Sequence, residues 1–283
     1  MDLPGTTTEA LFETFRSWSI NGEPAGHMDA YLADSFCRFV HTLELVGPNS
    51  TGRCLEIGAN PYFTTHLLAQ FTALDLTLIN FYGDHGRGTR TTEQLSYASP
   101  GVVETTLALD SDLLNVEEDA LPHPDGAFDV VLFCEVLEHL LMDPLAVLRE
   151  IHRVLRPNGA LVLSTPNVAR AANVSALVTG ANLYDPYSGF GPYGRHNREY
   201  NRHELHRLVQ FAGFEVEVSF TANGHVHDPA ALDRYADWAP LVTNRLDDLG
   251  DYLFVRARKS MDGRPGLPSW LYRSWPDGAV VEQ

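Results

Sequence analysis

FDVVLFCEVLEHLLMDPLAVLREIHRVLRPNGALVLSTPN, residues 128–167, changes its hydrophobic period twice. FDVVLFCEV (128–136) is an apolar run of strand length. PLAVLREIHRVL (144–155) spaces its apolar residues as a helix does. Pro157-Asn158-Gly159 then turns the chain into GALVLSTPN (159–167), a second buried strand. Strand, helix and strand in this order form a βαβ unit. A run that is apolar throughout fits a parallel strand covered on both faces.

Working outward, the alternation continues. RCLEIG (53–58) reads as a short buried strand, THLLAQF (65–71) as a helix with Pro61 in its first turn, and LTLINF (76–81) as the next strand. GDHGRGTRTTEQ (83–94) reads as a loop and VVETTLALD (102–110) as a third strand. Downstream, RHELHRLVQFAGF (202–214) reads as a helix, and FEVEVSF (214–220) and YLFVRARK (252–259) as the last strands. The fold class is therefore α/β, with a doubly wound, mostly parallel, seven-stranded sheet. LFETFRSWSI (11–20) and MDAYLADSFCRFVHTLELV (28–46) are helical, so residues 1–48 are expected as an N-terminal helical extension. Residues 49–259 hold the sheet, with a flap at about 168–200, and residues 260–283 form a tail without clear period. In such sheets ligands sit at the carboxyl ends of the strands, just after LEIG, LINF, LALD, LFCE and LSTPN.

Charge narrows the partners. Twenty Lys and Arg against 37 Asp and Glu leave a net charge of −17 over 283 residues. That average field repels a phosphate backbone unless a local basic patch overrides it, and it otherwise serves solubility. Three cysteines make no disulfide framework, and Cys54 and Cys134 fall in apolar runs, which suits a reducing cytoplasm. The opening MDLPGTTTEA lacks the basic and apolar regions of a signal peptide, and no apolar run reaches membrane-span length. The expected location is cytoplasmic, without membrane contact. The oligomeric state stays open, a homo-oligomer included.

LEIGANPYFTT (55–65) raises the question of the ligand. A dinucleotide site needs several glycines for close approach to a pyrophosphate, and only Gly58 is present. S-adenosylmethionine carries no phosphate, so one glycine suffices. Glu56 can anchor the loop or accept from the ligand's ammonium, and Asn60 can hydrogen-bond nearby. Taken alone, LEIG also reads as a core strand with a tight turn.

The segments LEIG, LPHPDGAFDVV, EVLEHL, HRVLRPNGALVLSTPN and AGFEV occur in one order over roughly residues 50–220. In this the chain resembles the class I S-adenosylmethionine-dependent methyltransferases. The resemblance implies their Rossmann-like fold. It places Gly58 with its neighbours Glu56, Ala59 and Asn60 at the methionine part of the cofactor, and Asn115, Val116 and Glu117 near the adenine. It places the ribose at the end of the second strand. There the usual acid is replaced by Asn80, with Asp84 as the neighbouring alternative. Glu135 is expected at the cofactor as well.

CEVLEHL (134–140) sets Glu135, Glu138 and His139 at i, i+3 and i+4, on one face of a helix that starts after the fourth strand. Two carboxylates and an imidazole suit a divalent ion such as Mg²⁺, Mn²⁺, Fe²⁺ or Zn²⁺. Equally, a Glu here can cap helix N–H groups while the His packs on the sheet. EVLEH, STPN and HNREYNR (196–202) together resemble the metal-dependent small-RNA 3′-terminal 2′-O-methyltransferases. That resemblance places four metal ligands on Glu135, Glu138, His139 and His196, with His203 and His206 as rivals for the last. The ubiquinone-pathway O-methyltransferases share the shorter EVLEH. On this reading Glu138, His139 and His196 are the catalytic residues, and either histidine can accept the acceptor's proton.

The stretch NVARAANVSALVTGANLYDPYSGFGPYGR (167–195) carries Tyr184, Tyr187, Phe190 and Tyr193, which read as a flap over the acceptor or as a packed surface loop. Arg195, Arg198 and Arg202 could bind an anionic group or neutralise Glu199 and Glu204. Against the resemblance, the acidity argues away from nucleic acid and toward a small hydroxylated acceptor such as a sugar, a glycosylated intermediate, a diol or a phenol. The expected activity is O-methylation. A metal-independent methyltransferase with a His base and a non-catalytic cofactor-binding subunit are the alternatives.

Overall fold

The computed structural model describes residues 6–98, 104–224, 234–260, 262–275 and 277–282. The strands of the main sheet are β1 (Ser19–Ile20), β2 (Thr51–Ile57), β3 (Ala73–Asn80), β4 (Arg90–Tyr97), β5 (Thr105–Leu113), β6 (Phe128–Cys134), β7 (Leu155–Pro166), β8 (Phe214–Ala222) and β9 (Tyr252–Lys259). The main helices are α1 (Thr8–Arg16), α2 (Asp29–Val46), α3 (Phe63–Phe71), α4 (Pro144–Val154), α5 (Ala171–Val178) and α6 (Arg202–Phe211). The sheet runs β1-β4-β5-β3-β2-β6-β7-β9-β8. The five strands from β5 to β7 are parallel, and β9 is antiparallel to both β7 and β8.

Alternate residues of the central strands feed two separate cores. Leu55, Val131, Phe133 and Leu163 meet Leu148 and Ile151 of α4 and Leu205 of α6 on one face. Cys54, Val130, Leu132 and Val162 meet Leu32 and Phe39 of α2 and Phe63 of α3 on the other. Each fully buried large side chain contributes about 1.5–3 kcal/mol relative to exposure. The N-terminal helices share this second core, because Leu11, Phe15 and Trp18 are buried in it as well. Helix α4 starts where its sequence directs. The Asp143 carboxylate accepts from Ala146 N at 2.9 Å, and Pro144 occupies the first position, where no N–H is required.

The sheet departs from the seven-strand expectation at one edge. RTTEQ, expected as the end of a loop, forms β4 together with residues 95–97, paired antiparallel to β5 from Arg90↔Asp112 to Tyr97↔Thr105, with β1 beyond it. Only Leu95 of this strand is buried, so its two-residue period carried almost no hydropathy signal. Pro61 also departs from expectation. The Asn60–Pro61 peptide is cis, Tyr62 N donates to Ala59 O at 2.7 Å, and α3 begins only at Phe63. The residues before α3 thus form a tight turn directly after Gly58 rather than a first helical turn. Residues 102–103 of the expected third strand lie outside the described residues, and β5 extends to Leu113. No helix among the described residues is long and apolar enough to cross a membrane.

Candidate active site

Along the carboxyl edge runs a groove with two adjoining compartments. The larger, of about 460 Å³, lies among Arg38, Gly58, Ala59, Glu138, His139 and His196. The smaller, of about 160 Å³, lies among Asn80, Phe81, Asn115, Val116, Val136 and Tyr193. Gly58, Glu135 and His139 border both.

Gly58 has φ +78°, and a Cβ there would stand 2.5 Å from Val136 Cγ2. A side chain is excluded by conformation and by space, so bare backbone faces the groove. Glu56 is buried behind this loop and accepts from Thr65 Oγ1 at 2.7 Å. Burial pushes its pKa from 4.5 to about 8, with the Thr65 bond opposing. Unfolded, Glu56 ionises near its ordinary value, so the stability its neutral form carries is full below that value. It is lost as pH rises toward about 8. Glu56→Gln cannot ionise, and its melting temperature is expected to fall less than that of the wild type between about pH 5 and about pH 8. Parallel melting curves across that range would refute the shift.

Asn80 holds the turn. Its Oδ1 accepts from Asn60 N at 2.9 Å, and its Nδ2 donates to Tyr62 Oη at 2.8 Å and Ser111 Oγ at 3.1 Å. Both amide hydrogens are used, leaving one lone pair on Oδ1 for a ribose hydroxyl. Asp84, the alternative, borders neither compartment; its side chain is 90% exposed beside Arg87. Asn115 is buried, accepts from Glu117 N at 3.1 Å and donates to the Tyr193 hydroxyl at 3.0 Å, while Val116 lines the smaller compartment. Glu117 is turned to the loop after His139, accepting from the backbone N–H groups of Leu141, Met142 and Asp143.

The expected helix at EVLEH is not formed. Strand β6 ends at Cys134, Glu135 takes φ 55°, and Leu137–His139 make a single 3₁₀ turn. The positive φ swings Glu135 away from its expected companions. Its carboxylate accepts from Ser164 Oγ at 2.7 Å and pairs with Arg38 at 3.0 Å. Three of the four expected ligands do converge: Glu138, His139 and His196 each offer one atom, all within 4.8 Å of one another.

The chemistry of this set fits a divalent cation. Glu138 is fully buried; Oε2 accepts from Thr165 Oγ1 at 2.8 Å, while Oε1 has no hydrogen-bond partner and lies 3.8 Å from His139 Nε2. His139 Nδ1 lies 2.9 Å from Arg195 O, and a carbonyl only accepts, so Nδ1 carries a proton and in the neutral ring Nε2 holds the lone pair. His196 Nδ1 lies 3.0 Å from Glu199 Oε1, and Glu199 pairs with Arg170 at 2.6 Å. Burial opposes ionisation of Glu199, but its bonds to His196 and Arg170 hold its carboxyl at about 2. Imidazoles whose second nitrogen donates to a carbonyl or carboxylate, with one carboxylate beside them, are what a cation of the transition series binds.

His203 and His206 are not part of this group. His203 is exposed on α6, and His206 Nε2 lies 2.8 Å from Ser219 Oγ. The three arginines act separately: Arg195 lies over the exposed Tyr187 ring, Arg198 pairs with Glu204, and Arg202, at the start of α6, with Asp248 at 2.8 Å. The sequence reading missed Arg38. It stands on the buried stripe of α2 with Leu32, Ser35, Phe39 and Thr42, where a charged residue signals a function. Its guanidinium donates to Tyr31 Oη at 2.7 Å and lies over the rings of Tyr31, Phe39 and Tyr252, and its Nε is unpartnered.

A parallel sheet centred on β2, with its groove where the strand order reverses, is the arrangement of the class I S-adenosylmethionine-dependent methyltransferases, although the first loop here carries a single glycine. A family model described as a methyltransferase domain matches residues 26–219, and the chain belongs to that family. A Mycolicibacterium smegmatis protein described as an S-adenosylmethionine-dependent methyltransferase is 39% identical over 97 residues, 34% of this chain and 32% of that one. The chain thus spans about a third of the length of the mycobacterial relatives it matches. A ubiquinone biosynthesis O-methyltransferase of Xanthomonas euvesicatoria is 32% identical over 193 residues, 66% of this chain and 70% of that one. The methyltransferase in a complex with the Haloferax volcanii Trm112 methyltransferase activator shares the fold, with a TM-score of 0.51 at 16% identity over 83% of this chain and 92% of that chain.

Proposed function

We propose that the protein transfers the methyl group of S-adenosylmethionine to a hydroxyl of a small acceptor, assisted by a divalent cation held by Glu138, His139 and His196. The observation that carries this reading is the unpartnered, fully buried Glu138 oxygen facing two imidazoles whose Nε2 lone pairs are free of the bonds at Nδ1. Such an oxygen is costly to bury unless a cation or proton donor meets it.

Gly58 would give the cofactor its backbone surface, Asn115 and Val116 the base end of the slot, and Arg38 Nε a donor for its carboxylate. The cofactor supplies an electrophilic methyl group on a sulfonium. A bound divalent cation supplies acidity to a hydroxyl and fixes its direction. The chain's own part is positional: Glu138 and the two imidazoles sit beside Gly58 in one compartment, so the acceptor oxygen and the donor share a short path. The acceptor is small and uncharged. Asp34, Glu135, Glu138 and Glu199 line the larger compartment, and its two arginines, Arg38 and Arg170, each pair with a carboxylate. With Arg38 Nε given to the cofactor and Arg170 to Glu199, no guanidinium is left there for a phosphodiester. The 32% identity to a protein described as a ubiquinone biosynthesis O-methyltransferase supports oxygen as the acceptor atom.

One observation favours a second reading. His196 is backed by Glu199 and Arg170, as a general base is, and burial's opposition is outweighed by Glu199, Glu138 and Asp185, which together raise its pKa. Radiolabelled methyl transfer onto a panel of sugars, vicinal diols and catechols, with and without a chelator, separates the two. Loss of transfer on chelation and recovery with Mn²⁺ is expected; chelator-resistant transfer would favour His196 alone. Absence of any calorimetric heat with S-adenosylhomocysteine would end both readings.

A further inference from the structure

We propose that Tyr193 is a residue of the cofactor slot. Residues 192–199 link it to the histidine pair, so that a ligand in the slot and a divalent cation at Glu138, His139 and His196 tighten each other's binding. This rests on the cofactor and cation reading above.

The flap's aromatic side chains divide sharply. Tyr184, Tyr187 and Phe190 are 75%, 92% and 95% exposed. Tyr193 instead turns into the smaller compartment, where its ring meets Phe81 edge-on at 5.2 Å and 82° and its hydroxyl accepts from Asn115 Nδ2. A base placed against Asn115 and Val116 therefore touches Tyr193, and must either keep or replace the Asn115 hydrogen bond.

From Tyr193 the chain is bound tightly to the cation group. Asn197 Nδ2 donates at 2.8 Å to Pro192 O and at 2.9 Å to His139 O, and so ties the residue before Tyr193 to a histidine of the pair. Asn197 N and Arg198 N both donate to Glu138 O, at 2.7 and 3.2 Å. His139 Nδ1 donates back to Arg195 O. His196, three residues beyond Tyr193, lies with its ring centroid 5.1 Å from that of His139. Fixing Tyr193 from the slot side thus fixes the spacing of the two imidazoles, and a cation bridging them fixes Tyr193 in return. Each ligand thereby favours the same spacing of the imidazoles and the same placement of Tyr193.

The test uses the intact protein with Mn²⁺ and S-adenosylhomocysteine as probes. Free Mn²⁺ is followed by electron paramagnetic resonance with and without the nucleoside, and nucleoside binding by calorimetry with and without Mn²⁺. Each ligand is expected to lower the other's Kd by the same factor, about 5-fold or more. Asn197→Ala should bring that factor close to one while each ligand alone still binds. Tyr193→Phe, a mild change at a half-exposed position, should reduce it and keeps the proposal testable if Asn197→Ala does not fold. Two ligands that bind the wild type independently, or full coupling in both variants, would overturn the proposal while leaving the methyltransferase reading intact. Failure of Mn²⁺ to bind under either condition would remove the cation reading and the coupling with it.

Discussion

Glu138→Gln is expected to abolish divalent-cation binding while making the cation-free protein more stable. The side chain is fully buried, with one oxygen held by Thr165 and the other facing His139 Nε2 at 3.8 Å without a partner. With the imidazole neutral, two acceptors face each other across that gap in the wild type. Glutamine keeps the volume and the Thr165 bond and turns an N–H donor toward the imidazole lone pair. A hydrogen bond of this kind is worth about 1 kcal/mol, some 2–4 °C in Tm for a chain of this class. The same change removes the anionic ligand, so Mn²⁺ affinity should fall by more than the roughly 10–100-fold that follows loss of a supporting outer partner. Methyl transfer to a hydroxyl should fall by about 10²–10⁴-fold. Calorimetry with S-adenosylhomocysteine in the absence of added cation should change little, because Gly58, Asn115 and Val116 are untouched, whereas added Mn²⁺ should no longer tighten it. A variant that melts lower and still binds Mn²⁺ would show that Glu138 is a structural residue whose orphan oxygen has some other cause. The combination of gained stability and lost binding is the signature of a group kept for function at a cost to the fold.

The parts that sequence patterning made legible are those where one signal dominated. FDVVLFC and GALVLSTP lie against α4 and α6 on one side and α2 on the other, and their unbroken apolar character says as much. The identity of three converging groups was also legible, since Glu138, His139 and His196 are the group the structure assembles. Helical spacing puts Glu135 with Glu138 and His139, but the backbone takes a positive φ at Glu135 and turns its side chain to Arg38 and Ser164. Strand β4 was hidden because seven of its eight residues are not buried. Glu199 and Arg170 could have been suspected: HNRE sets an acid three residues after His196, although the pairing with Arg170 needs the chain to return from 29 positions away. Arg38 lay in plain view as a cation on an apolar stripe, but its partner Glu135 is nearly a hundred residues distant, and no local pattern joins them.

Arg38→Met and the double change Arg38→Met with Glu135→Gln are expected to separate the fold from the cofactor. Arg38 is 5% exposed, its guanidinium paired with Glu135 at 3.0 Å and lying over the rings of Tyr31, Phe39 and Tyr252. Methionine fills much of that volume and suits an aromatic pocket. The single variant leaves the Glu135 carboxylate with Ser164 alone, and breaking a buried pair from one side costs about 3 kcal/mol. Replacing Glu135 with glutamine removes the uncompensated charge, and most of the lost stability should return, because a buried ion pair and a neutral, well-packed substitute are often equivalent. Binding should not return. If Arg38 Nε receives the cofactor's carboxylate, its loss removes a hydrogen bond to a charged group worth about 1.5–3 kcal/mol, or roughly 10–100-fold in Kd for S-adenosylhomocysteine. Urea unfolding reports the first quantity and calorimetry the second. A double variant restored in both would mean that Arg38 serves only to neutralise Glu135. Restored stability with binding still weak would place the guanidinium at the amino-acid end of the cofactor, opposite Tyr193 and Asn115 at the base end, with Gly58 between them.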